Sequence, residues 1–265
     1  MLEKIMESCH FLLDNYPEAQ ASKSYLDSRL SADSQKAFQF GYFPGVKDIS
    51  ALTDLVGEDE LYKKSLLFTK NIEDSLFPRK IVSSYFEDYP LVMPFRNAYG
   101  QIVALIGRTL LSEKERKNKD ISKNKDISKY KNTKEIPNVF KKGNLLFGLY
   151  ENKQAILDKG YVYIVEGQFD VIKAGEIGLK NIVALGSSNM TDYQFSVISR
   201  YSNNIFLLLD NDIAGEKGRK QIINKFGQFA NIRDFYIPTI YKDIDEYITN
   251  GNVSNYDEIS FEIMG

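Results

Sequence analysis

Residues 161 to 212, YVYIVEGQFDVIKAGEIGLKNIVALGSSNMTDYQFSVISRYSNNIFLLLDND, decide the fold. Three nearly unbroken apolar runs, 161–167, 181–187 and 204–210, alternate with segments 169–177 and 191–201, whose apolar residues recur at helical spacing. A strand with water on one face alternates apolar with polar. Strands apolar throughout, separated by helices, belong to a parallel sheet covered on both sides. Thr191 and Asp192 open the second helix with a capping side chain and a first-turn acid. Downstream the alternation continues with a helix over 214–226, a strand over 232–237 and a helix over 244–249.

Upstream the pattern changes. Leu2, Ile5, Met6, Cys9, Leu12 and Leu13 mark one face of a first helix, and further short helices are predicted over 21–30, 31–40, 49–55 and 58–67. The apolar runs 91–95 and 102–106, joined by Arg96-Asn97-Ala98-Tyr99-Gly100, read as a β-hairpin. Residues 112–142 then interrupt the globular pattern. The six residues NKDISK occur twice in tandem, at 118–123 and 124–129, as expected of loop growth, and about 112–128 is predicted to be a flexible loop. Residues 113–142 hold eleven Lys or Arg against five Asp or Glu, so charge is segregated although the whole chain carries only −2.

That near-neutral balance, 34 basic against 36 acidic residues, excludes a global field attracting polyanions and leaves only local footprints. One cysteine, Cys9, and one histidine, His10, exclude a disulfide framework and a four-ligand zinc site, so no zinc is predicted. The first twenty residues have no basic start followed by an apolar run, and nowhere do 18 apolar residues follow one another. A cytoplasmic protein with no membrane partner is expected. Abundant Lys, Ile, Asn and Tyr without Trp suits an A+T-rich source, a phage or a low-G+C bacterium.

Carboxylates stand at the carboxyl ends of the predicted strands, the edge where open parallel sheets bind ligands. The first ends in Glu166-Gly167 with Asp170 one helical turn on, the third in Asp210-Asn211-Asp212, and Lys242-Asp243-Ile244-Asp245-Glu246 follows the fourth. Converging acids repel unless a cation sits among them, and an all-oxygen ligand set suits Mg²⁺ or Mn²⁺. Each motif alone is an ordinary loop start or helix cap. Their order is specific.

That order resembles the Toprim domain of bacterial DnaG-type primases, topoisomerases and certain nucleases. VEGQFDVIKAGEIGLKNIVALGSS, LLLDNDIAGEKGRK and KDIDEYI resemble the primase Toprim motifs in particular. YLDSRLSADSQKAFQFGYFPG, FRNAYGQIVALIGRTL and KYKNTKEIPNVFKKGNLLFGLYENKQAI resemble the part of the primase core that precedes them. The likeness spans roughly residues 20–250 and implies an α/β Toprim parallel sheet flanked by helices, preceded by a mixed α+β primase-core subdomain. The expected boundaries are 1–150, with the basic ridge; 151–250, Toprim; and 251–265, a tail.

By the same resemblance, Glu166, Asp170, Asp210, Asp212, Asp243 and Asp245 match the metal-binding carboxylates, with Glu166, Asp210 and Asp212 catalytic. Arg108, Lys129, Asn132 and Lys142 match the ridge that holds template and nucleotide phosphate. Two or more Mg²⁺ or Mn²⁺ sites are implied, as are single-stranded DNA template and ribonucleoside triphosphates. The implied activity is DNA-templated synthesis of short RNA primers. Asn211 stands where the family has glycine and is expected to accept a left-handed turn; Ile244 replaces proline. No zinc ribbon precedes the core and about fifteen residues follow it, so a helicase or a separate zinc-ribbon protein is an expected partner. A Toprim nuclease, or a non-catalytic decoy or adaptor, would share the acidic residues.

Overall fold

A computed structural model describes residues 1–72, 79–112, 114–116, 127–137 and 139–259. Most of the loop expected over 112–128 lies outside them. The chain divides into two compact units, one of Met1–Phe95 with Ile102–Glu135, the other of Arg96–Gln101 with the residues from 136 onward. No helix of the described residues is long and apolar enough to cross a membrane.

The first unit holds strands β1 (Gly41–Tyr42), β2 (Leu67–Ile72), β3 (Arg79–Ser84), β4 (Leu91–Arg96), β5 (Ile102–Arg108) and β6 (Tyr130–Asn132). Its main sheet runs β1-β4-β5-β6, with the predicted hairpin as its centre. Every residue of β5 is buried, the apolar Ile102–Ile106 as their composition requires and the terminal Arg108 with them. Helix Leu2–Asn15 lies against β1 and β5 and buries the expected Ile5, Met6, Cys9, Leu12 and Leu13. Burial of each large side chain contributes about 1.5–3 kcal/mol. Gly41 permits that approach: a Cβ there would stand 2.6 Å from the Met6 Cε and 2.7 Å from the Cys9 Cβ.

The hairpin β2-β3 was not legible. The predicted helix 58–67 ends at Lys63, Ser65 turns the chain at φ 55°, and β2 follows at Leu67. No Gly or Pro marks that turn in the sequence, so helical propensity runs on past the true end.

In the second unit β7 (Val162–Val165), β8 (Ile182–Ala184), β9 (Asn204–Leu207) and β10 (Asn231–Asp234) form one parallel sheet in the order β8-β7-β9-β10. On one face Ile164, Val183, Ile205 and Leu207 pack with Ile156, Ile198, Ile222 and Phe226 from the helices Leu149–Lys159, Asp192–Ile198 and Ile213–Phe226. Helix Gln168–Glu176 packs against β8 and against helix Ile244–Asn250. From β7 the chain crosses first to β8 on one side and then to β9 on the other. The reversal opens a crevice at the carboxyl ends of β7 and β9. Thr191 caps its helix as expected, its hydroxyl accepting from the Gln194 N–H and the Gln194 side chain accepting in return.

Two glycines and an arginine press helix Ile213–Phe226 onto that edge. A Cβ at Gly215 or Gly218 would fall 2.1 Å from the carbonyl oxygen of Asp210 or Ser188. Arg219 is 1% exposed; its guanidinium donates to the Asp234 carboxylate (2.8 Å), the Phe235 carbonyl (3.1 Å) and the Leu209 carbonyl, and lies 4.2 Å from the Tyr236 ring centroid. It braces the chain just before Asp210. Removing one member of a buried pair strands the other, so Arg219→Met is expected to lower unfolding free energy by about 3 kcal/mol in urea titration. Lys225→Met removes an exposed pair with Asp192 and should change it by less than about 0.5 kcal/mol.

Candidate active site

Glu166 directly follows β7, and Asp170 sits in the first turn of the next helix, its carboxylate accepting the Gly167 N–H at 2.9 Å. Asp210 lies three residues past β9, and its N–H donates to the Glu166 Oε1 at 3.3 Å, tying the two strand tips together. Asp212 caps helix Ile213–Phe226 by accepting the N–H groups of Ala214 and Gly215. Asp243 caps helix Ile244–Asn250 by accepting the Glu246 N–H at 2.8 Å, and Asp245 is buried in its first turn.

Among the described residues, Asp170, Asp243 and Asp245 each offer a carboxylate oxygen within 4.8 Å of the others. Asp243 and Asp245 reach that cluster as cap and first-turn residue of a helix. Asn211 differs from expectation. Among the described residues, the non-glycine ones with positive φ are Gln39, Ser65 and Asn252, so Asn211 takes no left-handed turn. Instead its N–H donates to the Lys242 carbonyl at 2.7 Å, and its side-chain amide donates to the carbonyls of Tyr241 (2.9 Å) and Ile237 (3.3 Å). It sews the loop after β9 to the loop after β10, a task glycine cannot perform.

Burial and neighbouring charge raise the proton affinity of three of these acids. Burial, reinforced by the charges of Asp210 and Asp212, pushes the Glu166 carboxyl up to about 7. Asp170 is held well above the usual carboxylate range by burial and then by Asp243, Asp210 and Asp245. Asp210 is raised by burial despite the pull of Lys242. The Lys242 ammonium stands 3.1 Å from the Asp210 Oδ2 and 3.8 Å from the Asp212 Oδ2. Burial alone would lower its proton affinity, but the acids outweigh it and raise it. Buried oxygens that repel one another when ionised are the donor set a hard divalent cation takes.

Sequence reasoning quoted Lys242 within its motif but did not count it in the site. Its signal was position: it directly precedes Asp243 in the turn entering that helix.

Lys142 shares this edge. Its Cε lies 3.6 Å from where a Cβ would stand on Gly186, with the Gln168 amide 3.9 Å from the same point, and the Gly186 N–H donates to the Glu166 carbonyl at 2.9 Å.

Arg108, Lys129 and Asn132 come together in the first unit, where β6 pairs antiparallel with β5. Arg108 is 7% exposed, its guanidinium 4.9 Å and 5.1 Å from the Tyr25 and Tyr130 ring centroids and donating to the Tyr130 hydroxyl. It is an aromatic-packed residue, not an exposed strand position. The Lys129 ammonium lies 5.6 Å from the Tyr130 ring centroid, and the Asn132 carbonyl accepts from the Tyr85 hydroxyl at 2.8 Å.

Residues 163–248 match the Toprim-like family, and residues 10–153, more than half the chain, match the DNA primase catalytic core, N-terminal domain. This chain belongs to the DnaG-type primase catalytic-core family. The DNA primase of Aquifex aeolicus is 29% identical over 242 residues, covering 91% of this chain and 44% of that protein. A crystal structure of the zinc-binding and RNA polymerase domains of the Aquifex aeolicus primase superposes with a TM-score of 0.72 at 26% identity, covering 94% of this chain and 56% of that one. A DnaG primase catalytic domain solved bound to single-stranded DNA shares the fold, with a TM-score of 0.68 at 22% identity, over 93% of this chain and 78% of that one. The chain thus spans less than half the length of the Aquifex relative. The parallel Toprim sheet and the mixed unit before it are the primase-core architecture expected from the sequence.

The raised carboxyls make stability depend on pH. Between about 4.5, the ordinary value, and about 7, folded Glu166 keeps a proton that the unfolded chain has released, so its ionisation works against folding as pH rises through that window. Asp170 and Asp210 act in the same direction. In EDTA the melting temperature should fall as pH rises from 5 to 7, and Glu166→Gln should flatten part of the slope. A wild-type Tm constant or rising across that window contradicts the burial and repulsion described here.

Proposed function

We propose that this chain is the polymerising core of a primase, joining ribonucleotides into short primers on a single-stranded DNA template by divalent-metal-dependent nucleotidyl transfer. The observation that carries the reading is the convergence of acids from separate strand ends on one crevice of a parallel sheet that also bears Lys142. A reaction that passes charge through a triphosphate needs such a hard-cation site beside a fixed ammonium.

Glu166, Asp170, Asp210, Asp212, Asp243 and Asp245 would hold Mg²⁺ or Mn²⁺. When bound, the ions neutralise the triphosphate and polarise its phosphorus. The protein residues do the rest. Glu166 would take the proton of the primer 3′-hydroxyl as its oxygen joins the α-phosphate and pyrophosphate leaves. Lys142 attracts the nucleotide phosphates as a point charge. In the other unit Arg108, held between two tyrosines, would contact template and nucleotide phosphate together with Lys129 and Asn132.

The likeness to a DnaG domain solved with single-stranded DNA supports the choice of template, and the A+T-rich composition supports a phage-like source acting in a host cytoplasm. A helicase or a separate zinc-ribbon protein would supply template delivery.

Primer synthesis on single-stranded templates with ribonucleotides and Mn²⁺ or Mg²⁺ tests the reading. Asp210→Ala or Glu166→Ala should reduce product by about 100-fold or more with the far-ultraviolet spectrum unchanged. Full synthesis by either variant would remove these residues from the chemistry. Template affinity should fall linearly with log salt, and Lys129→Ala should lower the steepness of that line by about one ion, measured by fluorescence anisotropy.

A further inference from the structure

Lys242 is built differently from the acids around it. Its backbone is fixed at both ends: the N–H donates to the Glu246 Oε2 at 2.7 Å, and the carbonyl accepts the Asn211 N–H at 2.7 Å. Its side chain, by contrast, is 58% exposed, while its ammonium reaches in to Asp210 and Asp212. The root is immobile and the head stands at the water boundary, free to rotate about its side-chain bonds without disturbing either helix cap.

An ammonium between two carboxylates supplies what a divalent ion would supply, one positive charge in place of two. Two cations at the same carboxylate oxygens repel each other, so each weakens the other's hold. A lysine this exposed gains little from the pairing and exchanges readily, because solvent screens it and its side-chain entropy opposes a fixed position.

We propose that Lys242 is a resident counter-cation of the active site, holding Asp210 and Asp212 together until a divalent ion displaces its ammonium. The inference rests on the reading of these carboxylates as the metal site. It adds a residue to that site and gives it a role: Lys242 is a positioning residue in the metal-free protein and a competitor during loading. Displacement changes no covalent bond: the ammonium stays protonated, and the carboxylates exchange one cation for another.

Calorimetric titration of the full chain with Mn²⁺, comparing wild type with Lys242→Met and Lys242→Arg, tests it. Lys242→Met should bind Mn²⁺ about fivefold more tightly and melt at a lower temperature in EDTA, while Lys242→Arg stays within about twofold of wild type. A purely structural lysine would lower the melting temperature without tightening binding. Equal or weaker Mn²⁺ affinity in Lys242→Met overturns the lysine proposal and leaves the metal site standing. Absence of Mn²⁺ binding in wild type and variants alike overturns both.

The wild-type protein gives a second measurement that needs no variant to fold. Amine acylation followed by peptide mass spectrometry should label Lys242 faster in saturating Mn²⁺ than in EDTA, since the displaced side chain is no longer held against Asp210 and Asp212. Labelling at Lys242 that is unchanged or slower with Mn²⁺ overturns displacement.

Discussion

Carboxylates drawn to one sheet edge repel, and much of the second unit is arranged to hold that repulsion. Two full charges 4.8 Å apart oppose each other by about 3.5 kcal/mol at an effective dielectric of about 20, a large fraction of the stability of a small domain. The structure offsets this with donors instead of bulk charge. Backbone N–H groups of Gly167, Asp210, Ala214, Gly215 and Glu246 point at Asp170, Glu166, Asp212 and Asp243. Three of those acids stand at helix starts, where the helix dipole favours negative charge.

Two kinds of acid result. Asp170 and Asp245 are buried with Asp243 beside them, and burial and these neighbours hold the Asp170 carboxyl well above the usual range. Glu166, Asp210 and Asp212 are more open, and a lysine reaches the latter two. A buried cluster favours a tightly held charge, whereas an open one allows exchange. The same fold thereby provides one place suited to holding a cation and another suited to admitting one.

The second unit was legible because its strands are buried on both faces and therefore apolar throughout, and because its acids fall at the strand ends that a parallel sheet must bring together. Strand lengths were overestimated for a physical reason. Leu208 and Leu209 are buried and Leu208 still bonds to the Ile164 carbonyl, so their composition is that of a strand although β9 ends at Leu207. The first unit was harder. β2-β3 carries Lys70, Asn71 and Lys80 in its strands and follows a helix without a breaking residue, and β6 is three residues of a lysine-rich segment that only pairing with β5 makes extended.

Residue identity also carried less than position did. Asn211 occupies the place where the family resemblance sets a glycine, and the expectation drawn from glycine was backbone freedom. The asparagine takes no left-handed turn, and its amide joins the loop that carries Asp210 to the segment that leads to Lys242. Arg108 makes the converse point. Its chemistry suits phosphate, yet its guanidinium lies between Tyr25 and Tyr130 and donates to one of them, so its first consequence is to lock β6 against β5. Motif spacing therefore locates the candidate residues, while hydrogen-bond partners and burial show what each side chain already touches.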